Sequence, residues 1–346
     1  MITLVLCLAV YLVCLVLLRK FASSPRIFER LADHATARSL HVGVKPRVGG
    51  LAIFCSLAIG TALLMIIGIR IDSAIAFTAL AYVALFAISM IDDVKSLHAL
   101  TRLIFHLSIV STWVWVNNQS LPIGQLTESS LVIYLLLFVI VIGVTWAANL
   151  YNFMDGADGL AGSMTVIGFV SYAIAAHMAG DSDLALFALV IASTNLAFLW
   201  FNWPPSTLFL GDSGSVPIGF LAAAIGLIGI HKGNWGPEFP FAIFAMFWID
   251  ATQTLLRRAL SGDPIWKPHK SHWYQKIIRG GVSHLSLVKT HCSCSVVISA
   301  IALVSFVGDA QRLVHNTTLA LSIVCLVVLA FGAWAEIMFS KSNSKK

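Results

Sequence analysis

Residues 131–160 read LVIYLLLFVIVIGVTWAANLYNFMDGADGL, an apolar run over 131–149 that ends in a cluster of amides, carboxylates and glycines. At 1.5 Å per residue such a run matches the ~30 Å hydrocarbon core of a bilayer. Ten further apolar runs of comparable length lie near 2–18, 49–68, 74–91, 103–118, 161–180, 184–201, 215–231, 239–256, 291–308 and 318–339. The expectation is an all-α polytopic membrane protein of about eleven transmembrane helices, a single integral-membrane domain over 1–346. Composition agrees: 58% of the 346 residues are hydrophobic and 11% charged, and the mean hydropathy is +0.88. No stretch remains for a soluble domain.

Orientation follows from the basic residues. One set of alternate loops (19–48, 92–102, 257–290 and the tail with Lys341, Lys345 and Lys346) holds 19 of the 22 Lys and Arg, leaving Arg70, Lys232 and Arg312 for the other. By the positive-inside rule the N-terminus is outside and the C-terminus inside. The +6 charge then reflects topology and contact with anionic membrane lipids, and no nucleic acid is expected as partner. The first run lacks a basic n-region and a small-residue cleavage site, so it reads as a retained helix. The six cysteines, all in or at the edge of apolar runs, read as small buried residues.

Five carboxylates interrupt this apolar background at ends of runs that share one face: Asp92-Asp93, Asp155, Asp158 and Asp212. Desolvating a carboxylate is costly unless it is paired, hydrogen-bonded or metal-bound, which suggests a metal-dependent site at the cytoplasmic face. In NLYNFMDGADGL (149–160), Asn149, Asn152, Asp155 and Asp158 recur every three residues, so a helical or 3₁₀ continuation would align all four. A simple amide-rich turn is the alternative. In FLGDSGS (209–215), small residues flank Asp212, and Ser213 or Ser215 could cap the helix that follows; a helix N-terminus beside a carboxylate suits phosphate and Mg²⁺. The adjacent Asp92 and Asp93 repel one another and call for a cation, supplied by Lys95 or Arg102 or by a metal.

Two loops add basic and imidazole groups. RSLHVGVKPRVGG (38–50) supplies His41, Lys45 and Arg47 before Gly49-Gly50, and Pro46 with the glycines predicts a shaped turn. HKSHWYQKIIRGGVSH (269–284) gathers His269, Lys270, His272, Lys276 and Arg279, groups suited to a diphosphate or sugar. Asp250, within the ninth run and seven residues before Arg257, is either functional or half of an internal ion pair.

In this order, the segments resemble the polyprenyl-phosphate N-acetylhexosamine-1-phosphate transferases (glycosyltransferase family 4). Pro46–Gly50 resembles the family's Pro-x-x-Gly-Gly, Asp92-Asp93 its aspartate pair, 149–160 its NxxNFMDGxDGL, 211–215 its GDxGS and 269–275 its His-rich loop, so the motif-bearing region runs over 38–290. The resemblance implies transfer of sugar-1-phosphate from a UDP-N-acetylhexosamine to undecaprenyl phosphate, with Mg²⁺ or Mn²⁺ as cofactor, in the bacterial inner membrane, and leaves a homodimer open. It implies catalytic roles for Asp92, Asp93, Asp155 and Asp158, with Asp212 and Asp93 at the metal. Lys45, Arg102, Asn149, Asn152, His269 and His272 become substrate-binding candidates. HKSHWYQ departs from the HIHH or HHH of other branches and is similar to the branch that initiates O-antigen with N-acetylated, including deoxy, hexosamines. Two other classes fit less well: a cation transporter predicts acids at mid-membrane and paired broken helices, and the CDP-alcohol phosphotransferase pattern is absent.

Overall fold

The computed structural model describes residues 2–34, 44–118, 121, 129–264, 269–306 and 313–343. Arg38, His41, Arg312, Lys345 and Lys346 lie outside the described residues. The chain forms α1 (Ile2–Ala22), α2 (Pro25–Arg30), β1 (Ala32–His34), β2 (Val44–Pro46), α3 (Gly49–Ile66), α4 (Ser73–Lys95), α5 (Ala99–Val116), α6 (Ser130–Met154) and α7 (Leu160–Met178). It continues with α8 (Ser182–Asn202), α9 (Asp212–His231), α10 (Glu238–Ile243), α11 (Ala245–Leu260), α12 (Trp273–Arg279), α13 (His284–Phe306) and α14 (Leu313–Asn343).

Among the described residues ten helices, α1, α3 to α9, α13 and α14, are long and apolar enough to cross a membrane. Bulky apolar side chains such as Leu131, Tyr134, Phe138 and Val139 point outward from α6. In water such a surface would be an aggregation liability, whereas in lipid it is the solvated face. The expected ninth span, 239–256, is instead two helices joined at Phe244. The Phe244 ring packs on Gly168, where a Cβ would lie 2.4 Å from it, and against Tyr172 and Phe169. Beyond the break, α11 carries Asp250, Gln253, Thr254, Arg257 and Arg258, a set too polar for a lipid-facing helix.

Helix α9 lies at the centre, packed on α3, α4, α6 and α7. It can do so because small residues face its neighbours: a Cβ on Gly219 would come within 2.6 Å of the Ala147 carbonyl oxygen and 3.0 Å of the Ala148 Cα. Backbone contact of this kind is how apolar helices associate in lipid.

The shaped turn expected at 46–50 is present and has a partner. Strands β1 and β2 pair antiparallel, Asp33 opposite Lys45, and the chain after β2 runs along residues 209–210. The Phe209 N–H donates to the Pro46 carbonyl (2.9 Å), Gly49 N–H to Phe209 (3.0 Å) and Gly50 N–H to Leu210 (2.8 Å). Two segments more than 150 residues apart in sequence are thereby held at the start of α9. A Cβ on Gly50 would stand 2.4 Å from the Gly214 backbone nitrogen, and a backbone atom cannot rotate aside. Gly50→Ala is therefore expected to destabilise the protein by about 1–3 kcal/mol through overpacking, read as a lowered midpoint of thermal unfolding in detergent. An unchanged midpoint would show that the two helix starts can part without penalty.

Candidate active site

Helix α4 continues four residues past the expected end of its span and so carries Asp92 and Asp93 in its last turns. Asp92 is buried. Its Oδ1 accepts from the Leu97 N–H (2.6 Å) and its Oδ2 from Arg102 Nη1 (2.7 Å). The same Arg102 nitrogen donates to Asp212 Oδ2 (2.9 Å), so one guanidinium links α4, α5 and α9. Among the local cations weighed for the aspartate pair, Arg102 is the one in contact.

Asp93 acts differently. Its Oδ1 accepts from the Asp212 N–H (3.0 Å) and its Oδ2 from the Ser213 N–H (2.9 Å). A carboxylate from α4 thus caps the N-terminus of α9, satisfying two amides that have no partner within the helix and meeting the positive end of its dipole. The capping expected from Ser213 or Ser215 is not made: Gly211 is the N-cap, with no side-chain cap bond. Ser215 Oγ instead donates to Asn152 Oδ1 (2.8 Å) and to the Gly211 carbonyl (3.1 Å).

The 149–160 segment also departs from the expected continuous face. Helix α6 ends at Met154, and Asp155 is its C-cap at φ −84°, ψ 44°. Gly159, at φ 74°, then turns the chain into α7, a left-handed conformation that glycine adopts without steric cost. Asn149 is tied back to the Thr145 carbonyl (2.7 Å). Asp158 accepts from Ser206 Oγ (2.7 Å) and the Ser206 N–H (3.1 Å), and Ser206 Oγ in turn accepts from Lys45 Nζ (2.9 Å). Asn202 bridges the same loops, its Oδ1 accepting from the Gly159 N–H (2.9 Å) and its Nδ2 donating to the Leu208 carbonyl (3.1 Å).

Asp155, Asp158, Asp212, Asn152, Asn202, Arg47, Gln275 and His284 share the wall of a cavity of about 290 Å³. A second cavity, about 270 Å³, is walled by Asp92, Asp93, Ser96, Leu97 and Arg102. Arg47 and Asp212 belong to both. Arg47 is also ion-paired to Asp33 on β1, and its Nη1 lies 4.0 Å from Asp93 Oδ1. Burial, then the Asp212 and Asp93 carboxylates, push the Asp155 carboxyl well above the usual carboxylate range.

The final loop is placed by Asp250. Its Oδ1 accepts from the Trp273 N–H (2.9 Å) and from Thr254 Oγ1 (3.2 Å) and lies 3.5 Å from His272 Nδ1. The internal pair with Arg257 is not formed; Arg257 Nη1 reaches Glu336 on α14 (3.0 Å) and its Nη2 the Ser271 carbonyl (3.2 Å). His269 and His272 are together, ring centroids 4.9 Å apart, but neither is among the residues walling the larger cavity. Burial, then His272 and Arg258, lower the His269 imidazole to about 4, so it is a neutral group rather than a cation. Tyr274 donates to the Phe153 carbonyl (3.0 Å) and sits against Gly156, pressing the loop onto the 149–160 turn.

Sequence reasoning missed Asn202, Ser206 and His284 as site residues, and took Ser215 only as a candidate helix cap. The polar Ser206 directly after Pro204-Pro205 was the available signal.

A divalent cation can be tested against this donor set. Among the described residues no three His, Cys, Asp or Glu side chains surround one point, so there is no closed protein cage. Asp155 and Asp212 with the Asn152 amide oxygen do suit Mg²⁺, which keeps several waters and takes one or two carboxylates plus substrate phosphate.

Residues 74–230 match glycosyl transferase family 4. The chain is 28% identical over 315 residues (88% of this chain, 84% of the relative) to a probable undecaprenyl-phosphate N-acetylglucosaminyl 1-phosphate transferase of Bacillus subtilis (strain 168). It is 26% identical over 288 residues (72% and 70%) to the decaprenyl-phosphate N-acetylglucosaminephosphotransferase of Mycobacterium tuberculosis (strain ATCC 25618 / H37Rv). A Yersinia pestis undecaprenyl-phosphate alpha-N-acetylglucosaminyl 1-phosphate transferase is 25% identical over 222 residues (60% of each chain). These matches and the bundle of apolar helices make the chain similar to membrane glycosyltransferases. More narrowly, over most of its length the chain is similar to polyprenyl-phosphate N-acetylglucosamine-1-phosphate transferases.

Proposed function

We propose that this protein transfers an N-acetylated hexosamine-1-phosphate from a UDP-sugar to undecaprenyl phosphate, releasing UMP, at the cytoplasmic face of a bacterial inner membrane. The observation that carries the reading is the pair of cavities meeting at Arg47 and Asp212. Two phosphate-bearing substrates need two compartments and a shared boundary at which phosphorus changes partner. The larger cavity takes the sugar nucleotide. The smaller, beside the Arg102 guanidinium, takes the lipid phosphate. The asymmetry of the Lys and Arg between alternate loops supports the cytoplasmic assignment.

In the proposed reaction an oxygen of the lipid phosphate attacks the β-phosphorus of the UDP-sugar in line, and UMP leaves. A phosphate monoester with a second pKa near ~6 is largely ionised at neutral pH, so no strong base is required. Asp92 has both oxygens engaged, by the Leu97 amide and Arg102, which suits it to orienting Arg102 rather than to attacking phosphorus. Arg102 and Arg47 draw the phosphates together, and Asp93 holds the first residues of α9 in place. Mg²⁺ or Mn²⁺, held by Asp155, Asp212 and Asn152, would neutralise charge on the phosphates, the dominant need in phosphoryl transfer.

The HKSHWYQ loop supports an N-acetylated deoxyhexosamine and initiation of O-antigen, while the names of the relatives put UDP-N-acetylglucosamine first in any panel. The test is UMP release by the purified protein with undecaprenyl phosphate, Mg²⁺ and a series of UDP-N-acetylhexosamines. Release is expected with at least one of them, absent without lipid phosphate and abolished by EDTA. Turnover that survives EDTA overturns the metal, and a protein phosphorylated by UDP-sugar in the absence of lipid overturns the direct displacement.

A further inference from the structure

Among the described residues one imidazole stands on the wall of the larger cavity, and it comes from neither of the paired histidines of the final loop. It is His284, the first residue of α13. Its Nδ1 accepts a hydrogen bond from the Asp158 backbone N–H (3.1 Å). A ring nitrogen that accepts from an amide carries no proton of its own, so the proton of the neutral ring lies on Nε2. Asp158 Oδ2, 3.8 Å from the same Nδ1, is too far to reverse this, and both Asp158 oxygens are already engaged by Ser206.

The backbone of the 149–160 segment therefore fixes the tautomer of a residue 126 positions away, and the ring presents one N–H donor at the cavity wall.

We infer that His284 binds the sugar nucleotide, its Nε2–H donating a neutral hydrogen bond to an acceptor oxygen of that substrate. The assignment rests on the transferase reading above. A neutral donor differs in kind from Arg47 and Arg102: it discriminates by position and adds little to charge neutralisation. The residue can be altered without undoing the helix start, because α13 is begun by Ser283, whose Oγ accepts from the Ser286 N–H (3.1 Å).

The experiment compares His284→Asn and His284→Gln with the wild type in UMP release, varying UDP-sugar and undecaprenyl phosphate separately. Asparagine places its oxygen near the position of Nδ1 and can keep the bond from Asp158, but it has nothing at the position of Nε2. Glutamine reaches that position with an amide N–H. The expected result is a roughly threefold to tenfold rise in KM for UDP-sugar in the Asn variant, the scale of one neutral hydrogen bond. Its kcat and its KM for the lipid stay unchanged, and the Gln variant recovers most of the loss. Wild-type KM for UDP-sugar in the Asn variant, or an equal rise for both substrates in both variants, overturns the assignment. Should the Asn variant fail to fold, wild-type UDP-sugar kinetics in His284→Phe, which keeps the ring shape without either nitrogen, would overturn it as well. No UMP release by the wild-type protein defeats the transferase reading itself and this assignment with it.

Discussion

Asp212→Asn is expected to lose on the order of 10²–10³ in kcat for UMP release while the protein folds and unfolds as before. The separation follows from the contacts of this residue. Its side chain accepts a hydrogen bond from Arg102 Nη1 at 2.9 Å, and an amide oxygen can accept that bond equally well. The amide that anchors α9 is the backbone N–H of Asp212, bonded to Asp93, and the substitution leaves it intact. What is lost is a negative charge at the boundary of both cavities, the charge a Mg²⁺ ion and its bound phosphates would be organised around. The loss should be accompanied by a rise in the Mg²⁺ concentration needed for half-maximal rate, since one of the two carboxylates proposed to hold the ion has gone. A wild-type rate with a wild-type Mg²⁺ titration would remove Asp212 from the metal site.

Much of this architecture can be read along the chain, and the reason is physical. A membrane span announces itself by length and hydropathy alone, because lipid forces every backbone group to be satisfied within its own helix. The ends of α3, α7 and α8 therefore lie close to where the apolar runs place them. The break at Phe244 is of another kind: it depends on an aromatic ring lodging against Gly168, a contact between two helices. The motifs likewise announce which residues are at the site, since carboxylates and amides at helix ends are rare in such a chain.

Their division of labour was not legible. Asp92 and Asp93 are neighbours of identical chemistry, but one orients Arg102 and the other caps α9, because successive residues of a helix point about 100° apart and meet different partners. Asn149 and Asn152 share a helix and still differ, one bonded back to Thr145 and the other to Ser215. His284 carries no local signature at all. Its role is set by the Asp158 amide, and spacing along the chain does not encode which side of a cavity a loop will close.

Asp93→Asn tests the consequence of that division, and its expected effect on stability differs from that of Asp212→Asn. Each oxygen of Asp93 accepts one amide of α9, from Asp212 and from Ser213, inside the protein and with the side chain shielded from water. An asparagine offers one oxygen, so its NH₂ must face the second amide, donor against donor. Loss of a helix cap costs about 0.5–2 kcal/mol, and a buried donor left without a partner about 1–3 kcal/mol. The two are not independent, and a destabilisation of about 2–4 kcal/mol is the expected range. Activity should fall with stability, because the first turn of α9 places Asp212, and an error of about 1 Å in a reacting group can cost on the order of 10²-fold in rate. Thermal unfolding in detergent separates the two variants: Asp93→Asn lowers the midpoint and Asp212→Asn leaves it in place. Equal midpoints for both variants and the wild type, with activity lost only in Asp93→Asn, would mean that Asp93 acts on substrate or metal directly and that its hold on α9 is incidental.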